Sequence, residues 1–250
     1  MGGQAWSGVI GRGNSPLKIL SSSSMVSEFW QTLGLTFRLA AVTTAILLLI
    51  GIPIAYGLSK LRTRFKPVLE ALVSMPLVLP PTVLGFYLLL AFSPESGLGY
   101  WLYEQLGVKL VFTFPGLVVG SIIYSLPFMV QPVQSGFENL PGNLAEASYT
   151  LGKSKLETLW RVLLPNVKPS ILTGMVLSFA HTVGEFGVIL MIGGNIPGVT
   201  RVASIAIYDE VEGLNYGLAN QYALVLVVFT FAILLAVYYF NRRFSFGNRF

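Results

Sequence analysis

The chain has 250 residues, 54% of them hydrophobic and only 11% charged, with a mean hydropathy of +0.70; a soluble domain carries about 25% charged residues. It holds no cysteine and a single histidine, which excludes a disulfide framework, a cysteine-ligated metal centre and a multi-histidine site within one chain. The formal charge of +5 does not point to nucleic acid, because most basic residues flank apolar stretches, where topology-setting charges belong.

Residues 1–24 are rich in Gly and Ser and lack an apolar run long enough for a signal peptide. They read as a disordered leader or a misassigned start, with Met25 as the alternative initiator, ahead of a single transmembrane domain over 25–250. Five apolar spans of ~20 residues or more follow: about 33–58, 68–92, 112–137, 167–192 and 222–240. The second holds Pro76, Pro80 and Pro81, and the third Pro115, Pro127 and Pro132. Interior prolines remove backbone donors, so both are expected to be kinked or broken and buried against neighbours. The predicted fold is an all-α integral membrane bundle of about five helices.

Basic residues orient the spans. Eleven fall on one side: Lys60, Arg62, Arg64 and Lys66 after span one, Lys153, Lys155, Arg161 and Lys168 before span four, and Arg242, Arg243 and Arg249 in the tail. Four fall on the other (Arg12, Lys18, Lys109 and Arg201), and Arg38 lies inside span one. The positive-inside rule predicts an N-terminus outside and a C-terminus in the cytoplasm.

The loop over about 138–165 is polar and patterned. Asn143 and Glu146 form an N-x-x-E helix start. Leu140, Leu144, Ala147 and Leu151 share a face. Gly152 stands where a helix ends in the left-handed conformation. Ser154 and Glu157 form a second capping box, followed by Leu156, Leu159, Trp160 and Leu163, with Pro165 ending or turning the second helix. From periodicity alone this is a helical hairpin on a membrane surface. Gly152-Lys153-Ser154 looks like the end of a phosphate-binding loop, but that motif needs a glycine where Ala147 stands.

In span four, Gly174, Ser178, His181 and Glu185 are spaced four, three and four, which places them on one helix face, flanked by Thr173 and Thr182. Ionisable groups in a span face the bundle interior or a water-filled path. Glu185 lies ~18 residues beyond Val167, ~27 Å along a helix at 1.5 Å per residue, at a depth similar to Arg38. A partner for Glu185 is expected in Arg38 or in His181; the plain alternative is a buried structural carboxylate. Beyond span four, Val202, Ile205, Ala206 and Val211 form the apolar side of a short helix, with Asp209, Glu210 and Glu212 as an acidic patch.

The 146–165 segment resembles the signature of permease subunits of prokaryotic ABC importers: Glu-Ala-Ala, three residues, Gly, nine residues, Ile, any residue, Leu-Pro. Glu146, Ala147, Gly152, Leu164 and Pro165 match in register, with Ser148 for the second Ala and Val162 for Ile. Met75-Pro76-Leu77-Val78-Leu79-Pro80-Pro81, Gly184-Glu185-Phe186-Gly187 and Gly194-Asn195-Ile196-Pro197-Gly198 with Thr200-Arg201 resemble the molybdate branch of that family; sulfate and thiosulfate permeases are similar, and Val199 and Val202-Ala203 depart from the common pattern. The resemblance covers about 25–243. It implies a transport subunit with no catalysis and no cofactor of its own, ATP and Mg being held by a separate ATPase. Asn143, Glu146, Ala147, Leu151, Gly152, Leu164 and Pro165 would couple to that ATPase. Ser178, His181, Glu185 and Arg38 would line or gate the pathway. Asn195, Arg201, Asp209 and Glu210 would dock a binding protein. The implied assembly is a permease homodimer, two ATP-binding cassette subunits and a periplasmic or lipoprotein oxyanion-binding protein in the bacterial inner membrane. Rival classes are a membrane enzyme using His181 and Glu185, which has too few ligands or nucleophiles, and a proton-driven secondary transporter using Glu185, which has no need of the coupling signature.

Overall fold

The computed structural model describes residues 22–95 and 97–246, with side chains from Met25 and, near the C-terminus, only in part. The basic tail beyond Phe240 and leader residues 1–21 therefore lie outside the described side chains or backbone; residues 22–24 of the expected leader are helical. Helix α1 spans Ser22–Lys60, α2 Lys66–Val78, α3 Pro81–Phe92, α4 Gly97–Leu106 and α5 Phe114–Glu138. Next come α6 Asn143–Thr150, α7 Lys155–Thr158, a π-helical turn Leu159–Leu163 and α8 Leu164–Asn166. The chain closes with α9 Lys168–Gly184, α10 Gly187–Gly193, α11 Ala203–Glu212 and α12 Tyr216–Phe246. Every described element is helical. Among the described residues, three helices are long and apolar enough to cross a membrane, or up to five spans if each of two bent pairs counts as one.

Prolines act differently in the two spans that carry them. The second span is broken as expected: α2 and α3 meet at 107° around Leu79 and Pro80. The third is not: α5 runs through Pro127 and Pro132 as one helix. It is the most enclosed of the long helices, and burial against its neighbours keeps it helical where proline removes single backbone bonds.

Helices α1, α5 and α9 pack on one another as the centre of the bundle. Their cores are Leu47, Ala55 and Leu58 with Met129, Val130, Val133 and Phe137 at the α6–α8 end, and Leu39, Leu117, Ile189 and Ile192 at the far end. Glycines allow the approach: a Cβ at Gly51 would stand 2.6 Å from Met129 Cγ, and one at Gly174 3.1 Å from the Met129 carbonyl oxygen. Small residues let helices pack closely where lipid supplies no hydrophobic drive between them. Helix α12 is the peripheral one, with Leu224, Val227, Val228 and Phe231 exposed.

At the far end, Thr36 of α1 caps α11: its hydroxyl accepts from Ala203 N at 2.8 Å and donates to Thr32 O at 2.8 Å. The expected short helix is present with Val202, Ile205 and Ala206 buried, but Val211 is exposed at 41%, one turn past the buried face. Its acids are not a free patch. The Arg201 side chain, 12% exposed, pairs with Glu28 of α1 at 3.0 Å, Asp209 at 2.9 Å and Glu210 at 3.4 Å, and so ties α1 to α11. Arg201→Met would leave three acids facing one another without a cation; solvent reaches all three, so the expected loss is about 1–3 kcal/mol rather than the full cost of a buried pair. Thermal melting in lipid checks this, with Lys153→Met at an exposed pair as the near-neutral comparison.

Candidate functional site: a helical elbow and a pocket between two broken spans

The elbow is built on Gly152. Helix α6 ends with Gly152 N donating to Tyr149 O at 2.9 Å and Lys153 N donating to Ser148 O at 3.1 Å, a Schellman turn. Gly152 has φ +77°, as its position predicts. Ser154 caps α7 by accepting from Glu157 N at 3.2 Å. Glu157 does not complete the box: its carboxylate takes Lys153 at 2.8 Å and Arg161 at 3.1 Å, and the Lys153 hydrogen bond lowers its pKa from the ordinary value.

Asn143 is not a cap. Gly142 precedes the helix with helical backbone angles, and Asn143 is its first residue with no capping bond; the helical turn begins one residue early, so the Asn143 side chain is beyond reach of the free amides. Glu146 sits in that first turn, where a negative charge is favoured. The predicted apolar face also divides. Leu140 and Leu144 are half-buried, whereas Ala147 and Leu151 are exposed. With Leu156 and Trp160, exposed at 66% and 65%, Leu151 at 79% gives the elbow an open apolar surface. Leu163 and the half-buried Leu164 anchor its base in the core, and Pro165 is exposed. The chain turns into α9 at Val167, two residues past Pro165, bending by 72°.

Inside the elbow, Ser148 Oγ and Thr158 Oγ1 are 2.8 Å apart and buried, joining α6 to α7. This gives the serine in the second alanine position of the signature a partner. Thr158→Val would orphan the Ser148 hydroxyl, at an expected cost of about 1–3 kcal/mol, whereas Ser148→Ala with Thr158→Val would be nearly neutral; chemical denaturation of the four variants of the cycle measures the difference.

The second feature is a pocket of ≈470 Å³ lined by Pro81, Thr82, Tyr124, His181, Glu185 and Phe186, among others. Span four is not one helix. Helix α9 stops at Gly184, Glu185 is extended (φ −69°, ψ 136°), and α10 begins at Gly187. Glu185 is therefore not on the α9 stripe with Gly174 and Ser178, which are buried on that helix. The break lies against the break in span two: a Cβ at Gly187 would stand 2.7 Å from Pro81 Cβ. Glu185 is 4% exposed. Ser121 donates to its Oε2 at 3.3 Å, and its Oε1 has no partner among the described residues.

Neither expected partner holds Glu185. Arg38 is exposed, its guanidinium 4.8 Å over the Phe114 ring, because the buried face of α1 is set by Thr36, Leu39, Ala40 and Thr43. His181 turns to α5, with Nδ1 3.0 Å from Ser125 Oγ and its ring tilted against Phe128 and Tyr124 at centroid distances of 4.0 and 4.7 Å. The α5 residues Ser121 and Ser125 were missed in the sequence, where their only signal is an i, i+4 hydroxyl pair on an apolar helix. Asn195 is exposed in the turn between α10 and α11, which Thr200 clamps by donating to Gly193 O at 2.7 Å and accepting from Ile196 N at 3.1 Å. Among the described residues no cluster of His, Cys, Asp and Glu could hold a metal ion.

Comparison with known proteins places this architecture. Residues 24–246 match the family model described as the binding-protein-dependent transport system inner membrane component. The molybdenum transport system permease protein of Azotobacter vinelandii is 48% identical over 214 residues, covering 85% of this chain and 94% of that protein. A probable sulfate transport system permease protein of Marchantia polymorpha is 32% identical over 222 residues, covering 89% and 77%. Among solved structures, a bacterial alginate ABC transporter in complex with an alginate-bound periplasmic protein matches with a TM-score of 0.71 at 17% identity, covering 90% of this chain and 80% of that one; this likeness is of fold. The chain is a multi-pass membrane protein and belongs to the family of inner-membrane permease components of binding-protein-dependent ABC importers.

Proposed function

We propose that the chain is the membrane subunit of an ATP-driven importer of molybdate, with tungstate as a near-isosteric second substrate. The 48% identity to a molybdenum permease over nearly the whole of that relative is the observation that carries this reading; sulfate is the alternative, supported by relatives of lower identity. The distribution of basic residues supports an orientation with the N-terminus outside and the C-terminus in the cytoplasm of a bacterial inner membrane. Two copies form the pathway. Two ATPase subunits bind below, and an oxyanion-binding protein docks above, near Asn195 and the rim of the Arg201–Asp209–Glu210 cluster. ATP and Mg belong to the ATPase, and the chain itself performs no covalent chemistry.

The elbow is the handle. Its apolar tip of Leu151, Leu156 and Trp160 seats in the ATPase, while Leu163 and Val167 root it in the α1–α5 core. ATP-driven closure of the ATPase pair moves the elbow, the elbow moves α9, and the junction at Glu185 and Pro81 opens to alternate sides. Ser178, His181 and Glu185 line that junction or its approach, and Arg38 lies outside it on α1.

Because the chain has no cysteine, Leu151→Cys is a unique label. In the assembled complex it is expected to cross-link to the ATPase, with a yield that changes when ATP binds, while Val227→Cys on α12 gives none. An intact complex in which Leu151→Cys never links to the ATPase would overturn the assignment of the elbow.

A further inference from the structure

Glu185 combines features that lining a pathway does not require. It is 4% exposed, its Oε1 has no partner within the described protein, and it lines a ≈470 Å³ pocket. A charge buried without a partner is among the costliest arrangements in a protein, and in a membrane more so. Its surroundings do not compensate it. From α5 come the Ser121 hydroxyl and the Tyr124 ring, from α3 Thr82, and from α9 His181, which is engaged with Ser125. Tyr208 of α11 stands behind Phe186. No Lys or Arg of the described residues pairs with Glu185, Arg38 being turned onto Phe114.

The backbone adds to the imbalance. Glu185 directly follows the C-terminus of α9, where the last carbonyls lack helical partners and carry the negative end of the dipole. Ala180, His181 and Gly184 of that last turn line the same pocket. The Glu185 carboxylate and the Thr82 and Tyr124 hydroxyl residues line one cavity beside the negative end of α9, which together supply hard oxygen ligands for a small cation.

We infer that this pocket is a binding site for one small positive charge, a proton or Na⁺, taken up at Glu185 Oε1 against the C-terminal end of α9. The site itself follows from the geometry alone; only its consequence rests on the pocket belonging to the oxyanion pathway. That consequence is that the junction presents no net negative charge to a passing dianion.

Infrared difference spectroscopy of the permease–ATPase complex in lipid nanodiscs separates the two sources. One arm changes pH in choline salt; the other replaces choline by Na⁺ at fixed pH. The expected result is a band, lost in Glu185→Gln, that responds in one arm. A protonated-carboxyl carbonyl stretch that disappears at high pH identifies the proton. A saturable shift of a carboxylate stretch with Na⁺ identifies the metal ion. Ser121→Ala removes the one hydrogen bond to Oε2 and is expected to shift the same band, which assigns it if Glu185→Gln does not assemble. An ionised Glu185 carboxylate that moves in neither arm would overturn the inference. Because binding is read without turnover, this result is independent of whether molybdate proves to be the substrate.

Discussion

Gly152→Val should leave a complex that assembles but no longer links ATP hydrolysis to transport. Gly152 has φ +77°, a conformation costly for a β-branched residue. No atom lies within 4 Å of a Cβ placed there, so the effect is one of backbone strain and not of bulk. Holding a non-glycine residue in such a conformation costs about 1–3 kcal/mol, which amounts to a shift of roughly 5- to 150-fold away from the elbow geometry. Gly152→Asn provides the check, because asparagine tolerates the left-handed region far better. The expected order of substrate-stimulated ATP hydrolysis is Gly, then Asn, then Val, with α1, α5 and α9 unaffected. Equal coupling in the Val and Asn variants would remove the hinge from this glycine.

The second large effect is expected at Gly187. A Cβ there would stand 2.7 Å from Pro81 Cβ, 3.2 Å from Thr82 N and 3.3 Å from the Pro81 carbonyl carbon. These are a proline ring and main chain, which cannot swing aside as a long side chain would. Gly85 on α3 is placed reciprocally, with a Cβ there 3.0 Å from Val188 Cα. Two glycines, one from each broken span, thus set the distance between the breaks. Gly187→Ala is expected to cost about 1–3 kcal/mol by overpacking and to distort the Glu185 pocket, so transport falls further than stability does. Gly57→Ala on α1, with nothing within 4 Å, is expected to be neutral or slightly stabilising. Melting curves and uptake for the two variants make the comparison, and a Gly187→Ala protein as stable and active as Gly57→Ala would contradict the packing of the two breaks.

The elbow around Gly152 was the most legible part of the chain, because its determinants are local. Gly152 after an apolar helix, and Ser154 three residues before Glu157, specify a turn through backbone angles and one hydrogen bond. The break at Pro80 and Pro81 was legible for the same reason. The break at Glu185 was not. No proline marks it, and a spacing of four, three and four reads as a continuous helix face; what ends α9 is tertiary, the insertion of Gly187 against Pro81. The partners of Arg38 and Glu185 were likewise hidden. Similar depth in the membrane says nothing about azimuth, and Arg38 faces away from the core that Leu39 and Ala40 join. Arg201, Asp209 and Glu210 were singled out as surface contacts, yet they pair mainly with one another, and the fourth member, Glu28, lies 173 residues away in sequence.

The most direct test is anion-stimulated ATP hydrolysis by the complex rebuilt in lipid with its ATPase and binding protein, comparing molybdate, tungstate and sulfate. Stimulation by molybdate and tungstate, with sulfate inactive, is the expected result. Stimulation by sulfate alone, or by none of the three in an intact complex, would contradict it.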